Sequence, residues 1–92
     1  MKKIIQRTNG FEKAFLKLQK KFRDKFVEQL ERFLDDEFNS QLKTHELKGD
    51  RKGEWSFSVT HDIRAIYRKE TGNNRTIITF TFIDIGSHSR VY

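Results

Sequence analysis

The stretch TIITFTFIDI, from Thr76 to Ile85, is a long run of β-branched and aromatic side chains. Such residues favour β-strands, and this run is apolar on both of the faces that a strand presents. A strand of that kind is typical of the centre of a sheet, where both faces are covered at least in part. The run therefore predicts a central strand, which Gly86 is expected to end.

Two further strands are predicted before the central one. Apolar and polar residues alternate from Trp55 to Thr60, and the apolar set, Trp55 included, is expected to face the core. Ile63–Tyr67 forms a second short strand, and the residues Thr-Gly-Asn-Asn at 71–74 are a turn signal. Together with the central strand, these segments predict a three-stranded antiparallel meander.

The first half of the chain predicts one strand and two helices. Lys3–Arg7 is β-branched at its centre, and Asn9 with Glu12 three residues later resembles a helix capping box. Apolar residues then recur at helical spacing in two stripes, the first being Phe11, Phe15 and Leu18 and the second Phe22, Phe26, Leu30, Phe33 and Leu34. The break between the helices is predicted near residues 20–23, which favours an antiparallel helical hairpin over one long helix.

The order β-α-α-β-β-β predicts a single α+β domain over residues 1–92. Its sheet is expected to have four mostly antiparallel strands, with the phenylalanines of the hairpin covering one face. The other face is then the candidate working surface. Residues 38–53 are expected to form an extended loop, with room for one helical turn around residues 40–43.

Composition limits the possible functions. The chain has 92 residues, 19 Lys and Arg against 13 Asp and Glu, and a formal net charge of +6. A small basic domain favours polyanionic partners, either nucleic acid or an acidic protein. The absence of cysteine excludes disulfides, thiol nucleophiles and cysteine-ligated metal centres, and no cofactor or metal is expected. No apolar run approaches the roughly 20 residues of a membrane span, so we expect a cytoplasmic protein without a membrane partner.

Several short elements follow one another in the second half of the chain. They are His45-Glu46-Leu47-Lys48-Gly49, Trp55, Ile63-Arg64-Ala65-Ile66-Tyr67 and Ile85-Gly86-Ser87-His88-Ser89. In this order they resemble the RelE/ParE toxin superfamily, and the first and last elements are most similar to its YafQ-like branch. The resemblance includes the helical hairpin and the strand order, so it covers the whole chain.

This resemblance implies a toxin of a type II toxin–antitoxin system, of the kind linked to plasmid stabilisation. It implies a metal-independent endoribonuclease, or mRNA interferase, that cleaves mRNA in the ribosomal A site and inhibits translation. The implied partners are mRNA, the ribosome and a cognate acidic antitoxin, with oligomers formed only through the antitoxin complex. A ParE-type toxin that binds and inhibits DNA gyrase, or a plain RNA-binding module, is the alternative. A protein that only binds would not need His45 and His88.

The histidines are the first candidates for catalysis. Metal-free RNA cleavage needs a base for the 2′-hydroxyl and an acid for the leaving 5′-oxygen, and histidine suits both roles near neutral pH. His45, His61 and His88 all fall in predicted loops or at strand ends. The resemblance favours His88 as the general acid and implies a catalytic part for His45, while an ordinary exposed histidine is the alternative for each. Asp62 lies where YafQ-like proteins have an active-site aspartate, so the resemblance implies that it acts as a base or orients a histidine. An ordinary turn residue at this position is an equally good interpretation.

Basic and aromatic residues complete the candidate site. Arg64 alternates with Ile63 and Ala65, so its guanidinium is expected on the working face. The Arg-x-x-Tyr pattern matches RelE-like toxins, whose arginine contacts the scissile phosphate; an ion pair with Asp84 is the alternative. The candidate RNA-binding residues are Lys48, Arg51, Lys52, Arg90 and Tyr92. Lysines and an arginine between residues 17 and 25 form either a solvated helix face or a contact with ribosomal RNA.

Two positions depart from the YafQ-like pattern. Ser58 stands where the pattern has a histidine, and Asp84 or Ile85 stands where it has an arginine. His61, at a step where the pattern has proline, is expected to substitute for the missing histidine. The departures affect the identity of the base more than the class of reaction.

Overall fold

The computed structural model describes residues 2–92, except for the side chain of Asn73. The longer elements are β1 (Lys2–Arg7), α1 (Asn9–Leu16), α2 (Lys20–Asp35), β2 (His45–Glu46), β3 (Glu54–Ser58), β4 (Ile63–Thr71), β5 (Ile77–Ser87) and α3 (His88–Val91). Single turns of 3₁₀ helix lie at Ser40–Leu42, Gly49–Arg51 and Asn73–Arg75. The predicted α+β class and the order of the main elements are confirmed.

The sheet has the strand order β1-β5-β4-β3-β2. β1 runs parallel to β5, and all the other pairs are antiparallel, so β5 is the central strand of a mostly antiparallel sheet as predicted. A fifth strand joins the expected four: β2, which pairs His45 with Ser56 and Glu46 with Trp55. Two residues are too few to show an alternating pattern, so β2 was predicted as part of a loop.

The central strand continues past the glycine that was expected to end it. Gly86 pairs with Arg64, and Ser87 pairs with Ile63, before the chain turns into α3. A Cβ atom at Gly86 would lie 2.4–2.9 Å from the guanidinium of Arg90. The prediction was therefore wrong, because this glycine serves a close approach within a strand and not a turn.

Both helix boundaries differ from the predicted ones. α1 is capped by Thr8 and not by Asn9, because the Thr8 hydroxyl accepts a 3.0 Å hydrogen bond from the Phe11 amide. Glu12 pairs with Arg7 at 3.1 Å instead of closing a capping box. The helix break lies at residues 17–19, where the guanidinium of Arg23 donates to the Leu18 carbonyl.

The helical hairpin packs its phenylalanines on one face of the sheet, as predicted. Phe33 of α2 is fully buried, and its ring centroid lies 4.8–5.9 Å from four others, those of Phe57, Tyr67, Phe80 and Phe82. The indole of Trp55 is half-buried against this core, and the Lys69 ammonium lies 3.9 Å from its ring centroid. The interpretation of Trp55 as a core residue is therefore confirmed.

Two hydrogen bonds join the segment after α2 to the sheet. Glu37 accepts hydrogen bonds from the Tyr67 hydroxyl at 2.6 Å and from the Lys69 ammonium at 2.8 Å. Burial raises the pKa of Tyr67, and the hydrogen bond and negative charge of Glu37 raise it further, so the hydroxyl stays protonated and remains a donor.

The second face of the sheet is covered in part by the last turn of the chain. Ser56, Ile66 and Asp84 are in register on this face. The Tyr92 hydroxyl contacts Ser56, and Arg90 pairs with Asp84 at 2.5 Å. The helix α3 therefore lies over Ile66, which is fully buried. Val91 is almost fully buried as well. This turn therefore packs the side chain of Val91 against the sheet and is attached to two strands, β3 and β5.

The aromatic core generates a prediction about stability. Phe33→Ala should lower the free energy of unfolding by about 3–5 kcal/mol, because it leaves a cavity among four aromatic rings. Leu16→Ala, at a side chain that is 72% exposed in α1, is the control and should change stability by no more than about 0.5 kcal/mol. Urea unfolding followed by circular dichroism measures both, and equal losses would contradict this account of the core.

Candidate functional site

Two imidazoles lie around the ring of Tyr92 on the second face of the sheet. The ring centroid of His88 is 4.4 Å from that of Tyr92 in an edge-to-face arrangement, and the centroid of His45 is 6.4 Å away. The Tyr92 hydroxyl contacts the hydroxyl of Ser56, which fixes the ring against β3. The structure thus brings together three predicted site residues from β2, α3 and the last position of the chain.

The β3–β4 turn holds His88 in place. The backbone amide of His88 donates to the Asp62 carbonyl at 2.8 Å, and the Asp62 carboxylate is 3.3 Å from the same nitrogen. The Thr60 hydroxyl in turn accepts hydrogen bonds from the amides of Asp62 and Ile63 at 3.3 and 3.0 Å, which orders the turn. Asp62 therefore contacts the backbone of His88, and this contact positions the exposed imidazole at the end of β5.

The orientation of His45 is set by a backbone carbonyl. Its Nδ1 atom lies 3.0 Å from the carbonyl oxygen of Lys43. A carbonyl can only accept a hydrogen bond, so in the neutral ring Nδ1 carries the proton and Nε2 is left with a free lone pair. His45 is exposed, so this lone pair is accessible as a proton acceptor.

Arg64 lies on the same face, as its alternation with Ile63 and Ala65 predicted. One terminal nitrogen of its guanidinium donates to the Ser58 hydroxyl at 2.8 Å and to the Thr60 carbonyl at 3.0 Å. The alternative interpretation, an ion pair with Asp84, is wrong because Asp84 pairs with Arg90. Ser58, which replaces a histidine of the family pattern, thus helps to orient the arginine.

His61 is exposed in the same turn and lines a small cavity together with Arg64. Its neighbour Asp62 is the residue of the turn that reaches His88. The substitution of His61 for the missing histidine therefore stays a prediction.

The candidate RNA-binding residues fall into two groups. Lys48 and Lys52 are exposed beside the short 3₁₀ turn at residues 49–51. Arg51 is engaged instead: it pairs with Glu54 at 2.7 Å and donates to the carbonyl of Val91, so it ties the last turn to the sheet. Arg90 is held likewise, since its guanidinium reaches Asp84 and the Ile85 carbonyl at 2.5 Å each.

Sequence reasoning missed two residues of this site. Ser56 supports Tyr92, and Lys43 supports His45 through its carbonyl. The alternation from residue 55 to 60 was a usable signal for Ser56, since it placed the serine on the working face. For Lys43 no local pattern existed, because its part depends on a backbone conformation.

Residues 2–92 offer neither a cluster of metal ligands nor a membrane-spanning helix. Across that range, no three or more His, Asp or Glu side chains are grouped as ligands for a metal ion. Over the same residues, no helix is both long enough and apolar enough to cross a membrane.

Comparison with solved structures identifies the same fold in known toxins. YafQ from E. coli strain BL21(DE3) superposes with a TM-score of 0.78 at 18% identity, covering 99% of each chain. YafQ in the E. coli DinJ–YafQ toxin–antitoxin complex matches with a TM-score of 0.74 at 21% identity, over 100% of this chain and 99% of that chain. A YoeB/ParE toxin from Agrobacterium tumefaciens gives 0.74 at 21% identity, over 96% of this chain and 99% of the other. At these identities the likeness establishes the fold alone.

Comparison of sequences gives the family. No curated protein sequence matches the chain significantly. The family model for YafQ, a bacterial toxin of type II toxin–antitoxin systems, matches residues 3–92. Because that match covers nearly the whole chain, and the fold and the order of its motifs agree with it, the chain belongs to the YafQ family of type II toxins.

Proposed function

We propose that this toxin is a cytoplasmic endoribonuclease that cleaves mRNA in the ribosomal A site and so inhibits translation. One observation carries the proposal: two oriented imidazoles flank Tyr92 on the face of the sheet that also presents Arg64. A toxin that acted only by binding, to gyrase or to RNA, would not need two imidazoles with fixed positions.

The arrangement supports cleavage by general acid–base chemistry. In such a reaction a base removes the proton of the 2′-hydroxyl, and the 2′-oxygen attacks the adjacent phosphorus. The bond from phosphorus to the 5′-oxygen then breaks, and an acid protonates that oxygen, which leaves a 2′,3′-cyclic phosphate. The two proton transfers occur on opposite sides of the phosphorus because attack and departure are in line.

We assign the two proton transfers to the two histidines. His45 holds its proton on Nδ1 against the Lys43 carbonyl, which leaves Nε2 to accept the 2′ proton. His88, anchored through its backbone amide, is the acid that protonates the 5′-oxygen. Asp62 is then a positioning residue for His88. The proposal needs no metal, since imidazoles exchange protons near neutral pH.

Arg64 supplies the positive charge. Negative charge increases on the phosphate oxygens as the pentacoordinate phosphorus forms, and a fixed guanidinium stabilises it without reorganisation. The hydrogen bonds to Ser58 and Thr60 use one terminal nitrogen of the guanidinium. The donors on its other nitrogens can therefore engage the phosphate. Tyr92 offers a ring face to a base, and Lys48 and Lys52 offer charge to the RNA backbone.

Removal of the proposed acid tests the function. His88→Ala should reduce cleavage of an actively translated mRNA by about 10²–10⁴-fold, because the leaving oxygen then has no proton donor. The 5′ ends of the fragments are mapped by primer extension. The imidazole is exposed, so the fold should persist and circular dichroism should match the wild type. Unchanged cleavage by the folded variant would refute the assignment of His88, and no cleavage by the wild-type protein would refute the function.

Substitution of Arg64 tests where its charge acts. Arg64→Ala should lower kcat more than it weakens RNA binding, because the stabilised charge develops only in the transition state. Arg64→Lys should restore part of kcat, since lysine has the charge but lacks the planar array of donors. Single-turnover cleavage and equilibrium RNA binding separate the two effects. Normal kcat with weakened binding would reduce Arg64 to a docking residue.

The partner of the toxin is proposed to be an acidic antitoxin. In the solved E. coli complex, a protein of the same fold is bound to DinJ. A net charge of +6 and the exposed Lys48 and Lys52 beside the site suit a segment rich in Asp and Glu. Such a segment would inhibit the toxin by covering the basic face or by displacing the turn that carries His88 and Tyr92.

Charge reversal tests this interface. Lys48→Glu combined with Lys52→Glu should slow association with the antitoxin at low salt, because opposite charges steer the encounter, and the difference should shrink as salt rises. Lys2→Glu combined with Lys13→Glu makes the same change of net charge at exposed positions of β1 and α1 and is the matched control. Stopped-flow mixing measures the rates. Equal rates for the two variants would place the interface elsewhere, with the helical hairpin and its exposed Leu16 and Val27 as the next surface to test.

A further inference from the structure

A small cavity of about 220 Å³ opens beside Arg64 where β3 and β4 meet their turn. Its walls come from three parts of the chain: α2, the segment before β2, and the β3–β4 turn. Lys25, Lys43, His61 and Arg64 are the lining residues that carry or can carry positive charge. None of the nine lining residues that the structure describes is acidic. Positive charge is therefore concentrated around a concave part of the protein surface.

These cations are largely free of internal partners. Lys25 pairs with Glu28 at 3.3 Å, and because the two side chains are 40% and 57% exposed, solvent weakens this ion pair. The other ion pairs found within residues 2–92 do not include Lys43, His61 or Arg64. Grouped like charges without counter-charges destabilise the folded chain, so an anion bound between them would relieve that repulsion.

The wall of the cavity is rigid. Gln29 is only 5% exposed, and its amide nitrogen donates to the Ser58 carbonyl at 2.9 Å. Arg32 donates to the amide oxygen of the same side chain, so both ends of the amide are fixed. Arg64 is fixed through Ser58 and Thr60. Arg64, which keeps donors on its other nitrogens, therefore does not need to be ordered when a ligand binds, and this favours affinity.

Lys43 has a backbone conformation that its side chain disfavours. Its φ and ψ are 52° and 41°, in the left-handed region, which costs a non-glycine residue about 1 kcal/mol or more. In this conformation the carbonyl reaches Nδ1 of His45 while the side chain lines the cavity. Glycine would satisfy the backbone at lower cost but would contribute no charge. The residue with the strained backbone is thus a lysine that contacts His45 through its carbonyl and also lines the cavity.

We propose that this cavity binds the RNA phosphate next to the one that is cleaved, with Lys43 and Lys25 as its principal cations and His61 at its rim. The proposal rests on the proposed function and extends the RNA-binding site by one phosphodiester linkage. Arg64 joins the two sites because it lines the cavity and also lies on the second face of the sheet. Its partner Ser58 lies two residues along β3 from Ser56, and Ser56 contacts Tyr92. A backbone that passes from Tyr92 across Arg64 enters the cavity with its next phosphate.

Salt dependence of RNA binding tests the proposal directly. The probe is a single-stranded 2′-O-methyl RNA decamer, which cannot be cleaved because its 2′-oxygens carry no proton, and fluorescence anisotropy gives Kd over a range of salt. Lys43→Ala should weaken binding about 5- to 10-fold at low salt. It should also reduce the slope of log K against log salt by about 0.7, the value for one phosphate contact on a single strand.

Three further variants separate binding from structure. Lys43→Gly should lose the same slope as Lys43→Ala without any fall in Tm, because glycine relieves the left-handed backbone. Lys43→Arg should retain the slope. Lys2→Ala, the matched loss of one exposed lysine on β1, should leave the slope unchanged.

The outcomes distinguish this site from the proposed function. If Lys43→Ala and Lys43→Gly keep the wild-type slope, or if the wild-type protein does not bind the decamer, the phosphate site is refuted even where mRNA is cleaved. If the slope falls as expected but mRNA is not cleaved, the site is supported and the nuclease is refuted. Binding of a polyglutamate peptide that depends on Lys43, with RNA binding unaffected, would overturn the proposal in favour of an acidic protein partner.

Discussion

The packing of the hairpin's phenylalanines on one face of the sheet determines where the remaining groups of this protein lie. Phe26 and Phe33 pack against the rings of β3, β4 and β5, and these rings are buried. Side chains alternate along a strand, so the residues between the buried ones must lie on the opposite face. Ser56, Ser58 and Arg64 are placed on the working face for this reason, and a shift of one residue in register would exchange them with the core.

The working face is completed by an element that cannot be stable by itself. A helix of four residues, His88–Val91, makes too few internal hydrogen bonds to form alone. It is held by contacts at both of its sides, through Tyr92 to β3 and through Arg90 to β5, and by Arg51 at the Val91 carbonyl. The position of the proposed acid therefore depends on residues from two strands and from the 3₁₀ turn at Gly49–Arg51. Any partner that competes for these contacts acts on the position of His88 without touching the imidazole.

The departures from the family pattern have a common structural consequence. Asp84 or Ile85 occupies the place where the YafQ-like pattern has an arginine, and here Arg90 from the last turn pairs with Asp84 and donates to the Ile85 carbonyl. A guanidinium is thus present at that end of β5, but it comes from α3 and packs on Gly86. Ser58 replaces a histidine and holds Arg64 instead. In both cases the substituted residue supports an arginine on the working face, so the positive charge of the site is kept while its source along the chain changes.

The sequence by itself determined the helical hairpin, the order of the main strands and the side of the sheet on which Arg64 lies. These features follow from the periods of helices and strands, which are local and can be read from neighbouring residues. Only the tertiary structure decided the pairing of β2, the contact of Asp62 with the backbone of His88, the partner of Asp84 and the left-handed backbone of Lys43. Each of these depends on atoms or a conformation that no local period specifies. The residue types of the site were therefore visible in the sequence, but their geometry arose only when distant segments packed around one buried aromatic core.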